Sequence, residues 1–184
     1  MKKWIILLVT IIGFSSFASA QQFTIKLGPA ISFGAGGIGF GANLGLRSAS
    51  LLKFSKTLGV GIRADFIGDF SAGFAGLVSL SPVLNVDLDK NTLIYLGPTL
   101  GLVFNTAGTT FIFGADLGFA YAISPFIGVY ADGKIIFVPG FVAAFDLGFN
   151  YNLSKQLSLY LEFQGGVNAA GFSPGVGLGL FIKL

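Results

Sequence analysis

The chain has 184 residues, of which 53% are hydrophobic and only 10% charged, with 28 Gly, 21 Phe, no Cys and no His. That balance excludes a disordered chain, which needs low hydrophobicity and high charge, and it falls well short of the ~25% charged residues of an ordinary soluble domain. The missing Cys and His exclude disulfides, thiol catalysis, most zinc sites and any triad with a His base.

The N-terminal stretch reads as a secretory signal peptide. Lys2 and Lys3 form a basic start, and Trp4 to Phe14 is an apolar run broken only by Thr10 and Gly13. Ser15 to Ala20 is small and polar and ends Ala18-Ser19-Ala20, which predicts cleavage before Gln21. The apolar run is short of the ~20 residues of a spanning helix. Residues 1–20 are therefore expected to be removed, leaving one domain over 21–184. That domain carries nine basic and eight acidic residues, with no basic patch for nucleic acid.

From residue 23 onward, apolar and small or polar residues alternate with a period of two, the pattern of strands with one greasy face. In chain order the expected strands are 23–35, 38–48, 58–70, 73–88, 92–105, 109–123, 126–138, 141–153, 157–167 and 173–184. Ser50 to Thr57 reads as a loop or as a short amphipathic turn of helix. Segments of about ten alternating residues separated by turns point to an all-β fold, a closed antiparallel up-and-down transmembrane β-barrel of about ten strands, with eight or twelve as alternatives. A helical bundle fits poorly, because Gly and Pro interrupt nearly every window long enough to span.

Two internal repeats predict hairpin register. Asp116 to Tyr130 resembles Asp146 to Tyr160, and Asn85 to Tyr95 resembles Asn150 to Tyr160. Each unit is strand, tight turn, strand. The alignment sets Asn85 opposite Tyr95, Asn150 opposite Tyr160, Gly148 opposite Glu162, Gly118 opposite Asp132 and Asp116 opposite Lys134. The last two are expected to form an ion pair.

The charges sharpen the facing. Lys53, Lys56, Asp69, Asp89, Lys90 and Lys155 fall in expected turns. Lys26, Arg47, Arg63, Asp65, Asp87, Asp116, Asp132, Lys134, Asp146, Glu162 and Lys183 fall in strands, each on the side opposite the large apolar residues. Lipid penalises a Lys or Arg at mid-membrane by roughly 2–4 kcal/mol, so these eleven, with Tyr95, Tyr130 and Tyr160, are the expected lumen-lining residues. A soluble barrel or sandwich would turn its apolar residues inward instead. No catalytic, cofactor or metal site is expected. Gly34 to Gly39 lacks the Lys-Ser/Thr of a phosphate loop, and the carboxylates have basic partners on their own face.

On this pattern the chain resembles the small bacterial outer-membrane β-barrel proteins, the broad OmpA-like and opacity-like barrels. The last strand, Gly175 to Leu184, resembles the C-terminal strand of such barrels, with Val176, Leu178, Leu180, Ile182 and Leu184 outward. It ends in Leu184 where the familiar pattern ends in Phe or Trp. The only Trp is Trp4, so Tyr121 and Tyr151 form a reduced aromatic belt. The resemblance implies residence in the bacterial outer membrane among its lipids, with the envelope's assembly machinery and periplasmic chaperones as partners. It also implies periplasmic turns at 49–57, 89–91, 124–125 and 154–156, and short external loops near 36–37, 71–72, 106–108, 139–140 and 168–172. The expected role is a structural wall component or a narrow passive channel. The alternative is a soluble secreted barrel that binds an apolar ligand.

Overall fold

Strict alternation leaves each strand one apolar and one small or polar face, and closing the sheet on itself satisfies both faces and removes the edges. The computed structural model describes residues 23–34, 37–48, 51–70, 74–168 and 171–184. The expected signal peptide lies outside the described residues. The strands are β1 (Phe23–Gly34), β2 (Gly37–Ser48), β3 (Leu52–Lys53), β4 (Leu58–Asp69), β5 (Ala75–Asp87) and β6 (Thr92–Asn105). They continue with β7 (Gly108–Ala122), β8 (Ile127–Val138), β9 (Val142–Asn152), β10 (Leu157–Asn168) and β11 (Gly171–Lys183). Among the described residues there is no helix.

Every neighbour pairs antiparallel in sequence order, β1 pairs with β11, and β2 pairs with β4. The result is a closed up-and-down barrel of ten strands with β3 as a two-residue appendix. The ten long strands lie within two residues of their expected bounds. Asp69, expected in a turn, is the last residue of β4. The segment before β4 corrects the expectation of a loop or helical turn. Leu52 and Lys53 pair with Val60 and Gly59 of β4.

One end of the barrel is closed by turns of a single design. Ser55, Ser124 and Ser154 each accept, through Oγ, the N–H groups two and three residues on, at 3.0–3.2 Å. Asp89 does the same job in the β5–β6 turn, accepting from Asn91 N–H at 2.7 Å and Thr92 Oγ1 at 3.0 Å. The Asn91 bond comes first among the causes that hold its carboxyl below the ordinary range. Side-chain caps of this kind make such turns local and cheap to form.

The faces divide cleanly. Leu27, Phe40, Leu96, Phe113, Leu161 and Leu178 are 44–61% exposed on the outside. Such a surface is stable in hydrocarbon and unstable in water. Tyr121 and Tyr151 stand exposed next to the turn-capped end. The seam between β5 and β6 departs from regular pairing. Ladder contacts run to Leu80↔Leu100 and resume at Leu84↔Leu96. Between them Pro82 faces Pro98, and neither carries an N–H.

Candidate functional site in the barrel interior

The inward face alternates Gly with long side chains, so large groups cross over their neighbours. Tyr95 of β6, Gly118 of β7 and Asp132 of β8 lie in one row. The Tyr95 ring covers Gly118, where a Cβ has no room, and its hydroxyl donates to Asp132 Oδ1. Tyr130, Gly148 and Glu162 repeat the row one hairpin later. Tyr130 covers Gly148 and donates to Glu162 Oε2 at 2.6 Å. Tyr160 pairs with Gly179, and both crowd Gly28 of β1. No carboxylate follows there, and the buried Tyr160 hydroxyl has no hydrogen-bond partner.

The charged side chains pair between strands that are not hairpin partners, and several of the pairs reach across the barrel. Arg63 of β4 reaches Asp132 of β8 through both terminal nitrogens, Nη1 to Oδ1 at 3.3 Å and Nη2 to Oδ2 at 3.0 Å. Arg47 of β2 meets the same carboxylate at 2.8 Å. Asp65, two residues after Arg63, takes Lys134 at 3.0 Å, and Lys134 also donates to Ser79 Oγ at 2.6 Å. Lys26 of β1 binds Glu162 at 2.6 Å and Asp146 at 3.5 Å, and its Nζ lies over the Tyr160 ring at 5.1 Å. Gln164 holds the other Glu162 oxygen at 2.7 Å.

The expected Asp116–Lys134 ion pair is corrected. The two residues are register partners, but Lys134 turns to Asp65 and Asp116 faces Arg63 Nε at 3.7 Å. The narrow bore brings the opposite wall within reach of a long side chain, so Lys134 can bypass its register partner for Asp65.

Two vestibules flank this layer. The one at the turn-capped end measures about 400 Å³ and mixes apolar residues such as Val83, Leu93 and Val129 with Asn85, Asn91, Asn150, Ser158, Asp87 and Lys183. The one at the opposite end measures about 410 Å³, with apolar walls above a charged floor. Arg47, Arg63 and Asp132 line both, so their contacts form a septum between the two spaces. Sequence reasoning did not pick out Phe181, which is 8% exposed and stacks edge-on to Tyr130 with Arg47 over its ring at 5.8 Å. Its parity with Lys183 and Gly179 was the available signal. Ser81 and Thr99, fully buried and bonded to each other at 2.6 Å, were missed as well.

No family model matches the chain, and no curated protein matches it. Solved structures do. Outer membrane phospholipase A from Escherichia coli is 12% identical over 86% of this chain and 89% of its own, with a TM-score of 0.51. The NanC porin is 10% identical over 87% of this chain and 100% of its own, with a TM-score of 0.55. The KdgM porin, solved with disordered oligogalacturonate, is 9% identical over 89% of this chain and 99% of its own, with a TM-score of 0.53. Identities this low speak to architecture and not to activity. The chain has the fold of the bacterial outer-membrane β-barrels.

Proposed function

We propose that the protein resides in the bacterial outer membrane as a narrow passive channel for ions and small solutes, held shut at the Arg47–Asp132–Arg63 septum, and that it is not an enzyme. The observation that carries this reading is the pair of vestibules with only those three residues common to both. A barrel meant only as a wall has no need of two interior spaces separated by one layer of side chains. Ten strands lie near the size at which side chains still fill the interior, which suits a passage that opens by moving a few groups. The fourteen inward residues singled out from the sequence then act as wall and gate. Arg47, Arg63 and Asp132 close the passage, the other charges of the central network brace them, and Asp87 and Lys183 line the vestibule at the turn-capped end.

Planar-bilayer recording tests it. The native protein should conduct weakly and in brief openings. Asp132→Ala leaves Arg47 and Arg63 to repel each other, so it should raise open time and conductance and favour anions. If neither protein conducts, the passage reading falls and the interior ion pairs mark a closed wall element instead.

A further inference from the structure

The vestibule opposite the turn-capped end combines two features that do not explain each other. Its walls are apolar, built from Ile67, Leu77, Val103, Ile136 and Val142. Its floor is charged, and the charges are unevenly satisfied. Each floor cation is held most closely by a carboxylate other than Asp116 or Asp146. Lys26 is taken by Glu162 at 2.6 Å, Lys134 by Asp65 at 3.0 Å, and Arg63 by Asp132 at 3.0 Å. Asp116 and Asp146 are left with distant contacts of 3.7 and 3.5 Å. The Asp116 side chain is only 3% exposed, lines the vestibule, and its Oδ2 accepts no hydrogen bond. The Asp146 side chain is 29% exposed toward the same space.

A buried carboxylate without a close partner is costly, and a bound cation relieves the cost. Across the whole central network five carboxylates (Asp65, Asp116, Asp132, Asp146 and Glu162) face four cations (Lys26, Arg47, Arg63 and Lys134), a surplus of one negative charge. A hydrated metal ion would be a poor tenant between walls of Ile, Leu and Val. A cation with an apolar body satisfies both halves of the site. The volume lies in the range of ordinary small-molecule pockets.

We propose that this vestibule binds a small monovalent organic cation, an ammonium group carried on an apolar body, with its charge at Asp116 and Asp146 and its body against Ile67, Leu77, Val103, Ile136 and Val142. The site ends at the septum, so it stands whether or not the barrel conducts.

The test is calorimetric titration of the detergent-solubilised full barrel with benzylammonium, benzyl alcohol and benzoate, against a blank of protein-free micelles of the same zwitterionic detergent. Benzylammonium should bind more tightly than benzyl alcohol by about tenfold, and benzoate should be weaker still. Asp146→Asn or Asp116→Asn, each checked for native heat-modifiable gel mobility, should weaken benzylammonium by about fivefold or more and leave benzyl alcohol unchanged. Asp89→Asn, at the other end of the barrel, should change nothing. Equal binding of the alcohol and the ammonium, or no heat above the micelle blank, overturns the proposal on the native protein alone. Unchanged affinity in both acid variants overturns it too.

Discussion

The ring of Tyr130 lies across Gly148 and delivers its hydroxyl to Glu162 on the next strand, at 2.6 Å. Glycine here is required by close approach and not by backbone angle. Gly148→Ala should therefore push Tyr130 off Glu162 and destabilise the barrel by about 1–3 kcal/mol. Gly140→Ala, where an added Cβ meets nothing within 4 Å, should be neutral. Urea midpoints followed by gel mobility check both.

Lys134 discriminates between two carboxylates, and a pair of double-mutant cycles should display the choice. Asp65→Ala with Lys134→Ala should couple by about 0.5–3 kcal/mol, because their side chains touch. Asp116→Ala with Lys134→Ala should couple less, despite being register partners. A larger coupling in the second cycle would return the ion pair to the hairpin.

Phe119 is 38% exposed and stacks on Tyr121, while its neighbour Gly118 lies under Tyr95 on the other face. Phe119→Arg places a cation on the apolar side beside the Tyr121 belt and should cost about 1 kcal/mol, below the roughly 2–4 kcal/mol of a mid-membrane site. Folding yield into lipid vesicles measures it. Wild-type yield would mean that Phe119 does not meet hydrocarbon.

The opposed prolines of β5 and β6 leave an interval of seam without ladder pairing. Pro82→Val restores one N–H opposite the carbonyl of Pro98 and should stabilise the barrel by about 0.5–1.5 kcal/mol. The urea midpoint should rise, and exchange of the new amide should be slow.

Hairpin register was legible in the sequence because it is local. Repeats that share a turn share a stagger, and the five expected pairs, from Asn85↔Tyr95 to Asp116↔Lys134, are all observed. The ion partners were not legible. Period-two parity assigns Arg63 and Asp132 to faces, but their meeting depends on circumference and shear, which accumulate over five strands. Phe181 escaped because the apolar residues around it on β11 dominate the pattern. The segment at 50–57 escaped because two residues of pairing are too few to show a period.

Arg63 to Asp132 and Asp65 to Lys134 both span 69 residues in sequence, and that shared interval works as a checksum on assembly. If a hairpin between β4 and β8 slipped by two residues one way, Arg63 would confront Lys134. Slipped by two the other way, Asp65 would confront Asp132. A slip of one would turn a whole strand inside out. Each strand pair can be proofread by its own turn, but only a contact across the ring can audit the sum of several staggers. Both bridges can form together only when the staggers of the intervening strands add up to the total seen here.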